Sequence, residues 1–209
     1  MKKGILITLE GNEGCGKSTQ IRLLYRYLKK KGKKVFLTRE PGGTVIGDQI
    51  RKILLDVRNK GMSPVCETLL YMASRAQLVQ EVVKKHLAKG EIVLCDRWMD
   101  ATVAYQGYAG GVPVPWIESL GRAATQGVVP SLTLYLDLPV EVGLRRAKKR
   151  HAADRMEKKK KQFHEKVRKG FLAIAKKEPR RFKRLPIREK DPVAAVQKRI
   201  QKEVARVLG

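Results

Sequence analysis

The sequence contains little cysteine and no long apolar run. The three cysteines among 209 residues, Cys15, Cys66 and Cys95, lie far apart and lack the spacing of a metal site. Such a sparse, odd set is typical of a reducing compartment, so we expect a cytoplasmic protein. No apolar stretch approaches the roughly 20 residues that a membrane-spanning helix needs, and the run after Met1 is too short for a secretory leader. We therefore expect no association with a membrane.

Acidic residues are also scarce. The chain has 46 Lys and Arg against 20 Asp and Glu, a formal net charge of +26 at pH 7. The imbalance is concentrated in residues 145–209, which hold 25 of the basic and 7 of the acidic residues. Such an excess can attract polyanions, including nucleic acid, at low salt. We favour the simpler interpretation of solvated helix faces, so any nucleic-acid binding would come only through non-specific basic charge.

Flexible linkers and internal repeats are missing as well, which predicts a single domain over residues 1–209. Apolar runs alternate with amphipathic stretches along the chain. The pattern predicts strands at 4–10, 34–38, 91–96, 131–137 and 182–187, and helices at 17–31, 45–57, 64–88, 116–126, 140–150, 157–177 and 192–208. Continuous apolar strands require cover on both faces. We therefore predict an α/β fold, an open five-stranded parallel sheet with helices on both faces.

A glycine-rich loop comes directly after the first predicted strand. Its residues are Gly11, Asn12, Glu13, Gly14, Cys15, Gly16, Lys17, Ser18 and Thr19. They fit the pattern G-x-x-x-x-G-K-[ST], in which backbone N–H groups at a helix N-terminus hold phosphate. We predict that Lys17 reaches the β- and γ-phosphates of a nucleoside triphosphate and that Ser18 ligates Mg²⁺. A turn that binds nothing is disfavoured, because a strand precedes the loop and an amphipathic helix follows it.

Two arginines follow other predicted strands at the same edge of the sheet. Arg39 and Arg97 each offer a planar guanidinium to a second anionic group near the loop. The alternatives are a surface loop arginine for Arg39 alone and, for the two together, an ordinary ion pair with Glu40 or Asp96. We favour the first interpretation, which predicts that two phosphorylated ligands meet here.

Asp96 and Asp137 each end an apolar strand, as does the carboxylate that holds magnesium in nucleotide-binding proteins. Either residue can equally cap a helix or lie in a loop. The strand pattern alone leaves the choice between them open.

Residues 142–157 are rich in arginine and include Arg146, Arg150 and Arg155. Phosphoryl transfer spreads negative charge over the moving group, so a lid that brings arginines over it stabilises the transition state. A closing lid also excludes water, a competing acceptor. The lysine run at 158–161 is more typical of a solvated helix face. The residues alone favour neither the lid nor the surface interpretation of the arginines.

Four sequence blocks together resemble the thymidylate kinase family. They are residues 9–19, 38–44, 69–77, and 96–98 with 104–107, and they lie in the family's order over nearly the whole chain. The resemblance implies the P-loop NTPase fold and transfer of the γ-phosphoryl group of ATP, with Mg²⁺, to dTMP to form dTDP. It also implies a homodimer. The rivals are a nucleoside monophosphate kinase with another base preference and a nucleic-acid-binding NTPase.

The same resemblance implies roles for individual residues. The acceptor nucleotide would be bound by Arg39, Tyr71, Arg75, Arg97, Thr102, Tyr105 and Gln106. Arg39 and Arg97 match the phosphate-holding positions, and Arg75 matches the arginine that reads the thymine carbonyl. Tyr71 falls where an aromatic ring stacks on the base, although without the family it reads as helix core. Tyr105 matches the aromatic that crowds the sugar 2′ position and so favours deoxyribose.

The catalytic set implied by the resemblance is Glu13, Lys17, Asp96, Arg97, Arg146, Arg150 and Arg155. In the family, a carboxylate at the position of Glu13 helps to place the acceptor nucleotide. The glycine-rich loop contains no arginine, which resembles the bacterial subgroup whose catalytic arginines come from the lid. The resemblance also favours Asp96 over Asp137 as the magnesium-side carboxylate beside Ser18.

Overall fold

A computed structural model describes residues 4–149 and 154–208, and Arg150 lies outside these described residues. Its centre is a five-stranded sheet in which every neighbouring pair is parallel, in the order β2-β3-β1-β4-β5. The strands are β1 (Ile5–Glu10), β2 (Val35–Arg39), β3 (Ile92–Asp96), β4 (Leu132–Asp137) and β5 (Phe182–Pro186). The predicted fold class is confirmed.

Helices connect the strands. They are α1 (Lys17–Lys30), α2 (Val45–Leu55), α3 (Pro64–Leu78), α4 (Lys84–Ala88), α5 (Met99–Thr102), α6 (Val114–Thr125), α7 (Val140–Lys148), α8 (Lys161–Lys177) and α9 (Val193–Leu208). A π-helical segment, Val79–Val83, joins α3 to α4, and a second, Val103–Ala109, continues α5. The wider turns of these segments are a frequent feature of functional sites.

The helices differ from the sequence prediction most clearly in two places. The helical residues 99–109 were not predicted, because residues 100–107 are buried on every side and so show no amphipathic period. The helix expected from residue 157 begins at Lys161 instead. Before it, Asp154 Oδ1 accepts the backbone N–H groups of Met156, at 2.8 Å, and Glu157, at 2.9 Å, which stabilises a turn.

Both faces of the sheet are covered, as the continuous apolar strands predict. On one face, Ile7 and Leu9 of β1 belong to a cluster completed by α1 and α9. On the other face, Leu6 packs with the π-helical segment after α3, and Tyr135 of β4 packs with α8. Alternate residues of a strand point to opposite faces, so one strand contributes to both layers of the core. Within the described ranges, every helix is too short or too polar to cross a lipid bilayer.

Glu10, the last residue of β1 before the glycine-rich loop, is fully buried. Its Oε1 accepts the backbone N–H of Trp98 at 2.7 Å, and its Oε2 has no hydrogen-bond partner among the described residues. Burial raises the pKa of Glu10 from 4.5 to about 8, with nearby Asp100 adding to the rise and Arg97 opposing it. The folded protein therefore keeps this carboxyl protonated at neutral pH, whereas the unfolded chain does not.

We predict that Glu10→Gln removes a pH-dependent loss of stability. A raised folded-state pKa contributes stability that is complete below the unfolded value near 4.5 and is lost as the pH rises through about 8. Relative to the variant, the wild-type free energy of unfolding should fall by up to about 1.4 kcal/mol per pH unit across this window. Urea unfolding of both proteins at several pH values measures the difference, and parallel curves would contradict the assignment.

Candidate active site

A cavity of about 640 Å³ opens at the edge of the sheet where the strands end. The predicted site residues that line it are Glu13, Gly14, Cys15, Gly16, Lys17, Ser18, Arg39, Tyr71, Arg75, Asp96, Arg97, Thr102, Tyr105 and Gln106. Ligand sites of open parallel sheets lie at this edge. Residues that are distant in sequence therefore share one space of the size that a small-molecule site requires.

The glycine-rich loop supplies one wall of the cavity. Gly11, Gly14 and Gly16 all have positive φ, at 150°, 67° and 94°, which suits glycine and disfavours other residues. Gly16 is the N-cap of α1, and no side chain caps that helix. The ammonium of Lys17 folds over the loop and donates to the Gly11 carbonyl at 2.7 Å and the Asn12 carbonyl at 2.9 Å. An uncapped helix N-terminus with a lysine beside it is suited to an anion.

The loop and α7 meet backbone to backbone at Gly14 and Gly143. A Cβ atom added to Gly14 would lie 2.0 Å from the Gly143 carbonyl oxygen. One added to Gly143 would lie 2.3 Å from the Glu13 carbonyl oxygen. Neither position therefore has room for a side chain. The sequence signal for this contact is a glycine inside a predicted helix, where glycine is otherwise unfavourable.

The two carboxylates that the strand pattern left open have different surroundings. Ser18 Oγ donates to Asp96 Oδ2 at 2.8 Å. Asp137 is instead paired with Arg168 at 2.7 Å and Arg184 at 2.7 Å. Burial would raise the pKa of Asp137, but these arginines more than offset it and hold that pKa below its usual value. Two guanidinium groups thus satisfy Asp137, while Asp96 stands beside the loop.

The residues present fit a magnesium ion. Among the described residues, no group of three or more His, Cys, Asp or Glu side chains could hold a metal. Mg²⁺ needs no such cage, because it typically combines one or two protein oxygens with water and substrate phosphates. The Ser18 hydroxyl and the Asp96 carboxylate, hydrogen-bonded beside the phosphate loop, are such a donor set.

Glu13 of the loop forms a charged cluster with Arg97 and Tyr105. Arg97 Nη2 donates to Glu13 Oε1 at 2.8 Å and to the Tyr105 hydroxyl at 3.1 Å, and that hydroxyl donates to Glu13 Oε1 at 2.8 Å. Burial alone would raise the pKa of Glu13, but Arg97 and Lys17 outweigh it and lower that pKa to about 2. Glu13 is therefore an anion that orients Arg97 at neutral pH.

Arg97 itself has an unusual backbone. Its φ of 75° lies in the left-handed region, which a residue other than glycine adopts at a cost of about 1–3 kcal/mol. Its N–H donates to the Leu9 carbonyl at 3.0 Å, which fixes the residue beside β1. Its buried Nη1 has no hydrogen-bond partner among the described residues. Arg97 lines the cavity, and Nη1 is a guanidinium donor that no described residue uses.

Arg39 and a residue that sequence reasoning missed, Arg51, complete the positive wall. Arg39 contacts Asp48 at 3.4 Å and keeps an exposed side chain, so the Glu40 pair weighed for it does not form. Arg51 lines the cavity and donates to the Pro41 carbonyl at 2.9 Å. Burial, aided by the charge of Arg39, lowers the pKa of Arg51. Sequence alone offers no signal for Arg51, because an arginine on an amphipathic helix usually faces solvent.

The far end of the cavity is built around Arg75, which is 1% exposed. Its Nε and Nη2 donate to Glu40 Oε2 at 2.8 Å and 2.6 Å, and Nη2 also donates to Thr102 Oγ1 at 3.0 Å. Among the described residues, its Nη1 faces only the sulfur atoms of Met72, at 3.2 Å, and Met99, at 3.3 Å. Thioether sulfur is a weak acceptor, so Nη1 can be offered to a stronger one.

The structure does not bring two of the predicted lid arginines, Arg146 and Arg155, to the cavity, and the third, Arg150, lies outside the described residues. Arg146 Nη2 donates to the Glu189 carbonyl at 2.6 Å. Arg155 is 5% exposed, donates from Nε to the Leu54 carbonyl at 2.7 Å and forms an ion pair with Glu67. Their proximity to the phosphate loop, predicted from the lid interpretation, is therefore not observed.

Comparison with known proteins gives concordant matches. The family model described as "Thymidylate kinase" matches residues 9–200. The chain is 54% identical over 186 residues to the thymidylate kinase of Geotalea daltonii, covering 86% of this chain and 87% of that protein. It is 46% identical over 180 residues to that of Thermoanaerobacter sp. (strain X514), covering 86% and 88%. The crystal structure of thymidylate kinase from Ehrlichia chaffeensis is similar, with a TM-score of 0.78, 31% identity, and coverage of 97% of this chain and 99% of that chain.

We predict that Gly143→Ala weakens ATP binding. The added methyl carbon would lie 2.3 Å from the Glu13 carbonyl oxygen, so either the loop or α7 must move. Overpacking of this kind costs about 1–3 kcal/mol, so the KM for ATP should rise roughly tenfold or more. Gly61→Ala is the matched control, since a Cβ there meets nothing within 4 Å. Equal KM values for the two variants would show that the backbone contact does not shape the loop.

Proposed function

The chain belongs to the thymidylate kinase family, and we propose that it transfers the γ-phosphoryl group of ATP to dTMP, forming dTDP. The observation that carries the proposal is the single cavity with two different ends. One end is a phosphate loop with Lys17, and the other is a polar pocket around Arg75, with Arg97 between them. Such an arrangement suits two nucleotides whose phosphates meet in the middle.

The donor half is the loop and its neighbours. Lys17 would exchange its hydrogen bonds to the Gly11 and Asn12 carbonyls for bonds to the β- and γ-phosphate oxygens. Its ammonium group is a compact charge on a flexible side chain, so it can make this change. Ser18 and Asp96 would hold Mg²⁺, which when bound neutralises phosphate charge. The backbone of the loop orients the triphosphate for in-line transfer.

The acceptor half would bind the phosphate of dTMP, which attacks the γ-phosphoryl group of ATP. Arg97, held by Glu13, would bind the dTMP phosphate through its guanidinium, and Arg39 and Arg51 would add positive charge. Glu13 keeps its negative charge between the two phosphate sites. Its repulsion of the acceptor phosphate would therefore limit how closely that phosphate approaches the donor site. In this role it positions the reacting groups and does not take a proton, because its pKa is about 2.

The pocket beyond the acceptor phosphate would bind the nucleoside. Tyr71 lines it and can stack on a base through its ring face, and Arg75 offers Nη1 to a base carbonyl. Thr102 would contact the base from the same side as Arg75. Tyr105, fixed by Glu13 and Arg97, would lie against the sugar and favour deoxyribose.

Residues 142–157 are proposed to act as a lid that supplies arginine to the transferring group. The absence of arginine from the phosphate loop and the direct contact of α7 with that loop support this role. Closure would exchange the bond of Arg146 to Glu189 for phosphoryl oxygens, and Arg150 would join it. The buried ion pair of Arg155 with Glu67 favours a separate task for that residue.

We also propose a cytoplasmic homodimer. Helices α2 and α3 pack side by side, as do α3 and α6, and the three helices carry exposed apolar side chains. These are Ile46 and Ile53 of α2, Val65 and Leu69 of α3, and Trp116 of α6. An exposed apolar patch of this kind favours a second copy of the chain as its partner. The three free thiols support a reducing compartment.

The activity is tested with dTMP, dUMP, dCMP, AMP and UMP as acceptors for ATP. We expect dTMP to have the highest kcat/KM, and preferred turnover of a base other than thymine would overturn the substrate. Lys17→Ala should lower kcat/KM about 100- to 1,000-fold, the usual effect of removing one electrostatic stabiliser. Lys31→Ala, at the exposed end of α1, is the control. Near-normal rates for Lys17→Ala would show that the loop is not the donor site.

We predict that Leu69→Glu shifts the protein from dimer to monomer. The side chain is 45% exposed on α3, so the carboxylate is solvated in the monomer and buried only if the two copies meet there. Sedimentation velocity at matched concentrations measures the shift. Val207→Glu, at the exposed end of α9, should leave the association unchanged. If both variants sediment as the wild type does, this surface is not the dimer interface.

A further inference from the structure

Three buried side chains form a chain of contacts behind the base pocket. Gln106 Nε2 donates to Glu67 Oε1 at 2.8 Å, and Glu67 Oε2 forms an ion pair with Arg155. Gln106 is 2% exposed, Glu67 is 7% exposed and Arg155 is 5% exposed. Glu67 is therefore held between one partner that lines the cavity and one that comes from the end of the proposed lid.

The chemistry of these groups fixes the orientation of the Gln106 amide. Arg155 carries a permanent positive charge, so it requires an oxygen of Glu67 beside it in their ion pair. A carboxylate only accepts, so it requires Gln106 to turn its NH₂ group toward it. The Gln106 Oε1 is then left for the cavity, and it accepts no hydrogen bond from any residue that the structure describes.

The same wall also carries donors. Arg75 Nη2 donates to Thr102 Oγ1, and Thr102 lies four residues before Gln106 on the same helical segment. Arg75 Nη1 faces only weak sulfur acceptors. The pocket thus presents guanidinium donors and, one turn away, an amide acceptor. A pyrimidine with a carbonyl at position 4 and an N–H at position 3 complements this pattern, whereas cytosine presents an amino group and an unprotonated nitrogen there.

We propose that Glu67, anchored by Arg155, is a positioning residue that sets base preference by fixing the amide of Gln106. This inference rests on the proposed function and deepens it. Glu67 itself does not touch the substrate. It determines which amide atom the base meets, and a base of reversed pattern leaves buried polar groups unpaired. Arg155 thereby connects the segment at residues 154–157 to substrate choice.

Glu67→Gln tests the proposal because it keeps the side-chain volume nearly unchanged. It also reverses which amide atom of Gln106 must face residue 67. Arg155 still needs an acceptor, so the introduced amide turns its oxygen toward Arg155 and its NH₂ toward Gln106. Gln106 must then turn its own oxygen inward and its NH₂ toward the base. We expect the KM for dTMP to rise about tenfold with kcat changed less than about twofold. The preference for dTMP over dCMP, as a ratio of kcat/KM values, should fall about 100-fold.

The matched control is Glu118→Gln, the same chemical change at an exposed residue paired with Lys177. It should keep the wild-type preference. If Glu67→Gln lowers kcat/KM for dTMP and dCMP equally, or leaves the preference intact, Glu67 has only a structural role and the inference is wrong. If the wild-type protein itself does not phosphorylate dTMP, the proposed function fails, which is a distinguishable result.

A second pair of variants covers the case in which Glu67→Gln does not fold, as judged by circular dichroism. Arg155→Lys keeps a positive charge beside Glu67 Oε2 and should keep the preference for dTMP. Arg155→Met removes that charge, so the Gln106 amide can take either orientation and the preference should fall at least tenfold. Equal preferences in these two variants would overturn the anchoring role.

Discussion

The pairing of β1 with β3 is the constraint on which the rest of the site depends. Leu9 lies opposite Asp96 in this parallel register, and the next backbone N–H, that of Arg97, donates to the Leu9 carbonyl. The end of β3 is thereby fixed beside the start of the phosphate loop. A slip of one residue would turn each side chain of β3 to the opposite face of the sheet. The hydrogen bond between Ser18 and Asp96 and the contact between Glu13 and Arg97 both require this register.

Three arginines in or behind the cavity wall are each paired with an acid. Glu13 holds Arg97, Glu40 holds Arg75 and Glu67 holds Arg155. Buried ion pairs of this kind contribute little net stability, because desolvation offsets the attraction. Their effect here is geometric: a guanidinium whose fork is partly occupied can turn only its remaining donors toward a ligand. The paired acids therefore decide which donors face the cavity, and they do so before a substrate enters.

The sheet and the phosphate loop could be predicted from sequence because both have local signals, an apolar strand period and a fixed glycine spacing. The helical residues 99–109 could not, since burial on every side removes the period that identifies a helix. Arg51 and Glu67 were missed for a related reason. Each looks like an ordinary charged residue of a helix, and only the packing of other segments turns it inward. The partners of Arg39 and Arg97 likewise depend on tertiary distances that the sequence does not contain.

The contact between Gly14 and Gly143 has a mechanical consequence. Most contacts between a loop and a helix pass through side chains, which can change rotamer and so absorb small displacements. Here the Glu13 and Gly143 carbonyl groups meet the opposite backbone directly. A shift of the phosphate loop on binding a triphosphate must therefore move α7 as a rigid body. The backbone contact at the two glycines therefore couples the position of the loop to the position of α7, the start of residues 142–157.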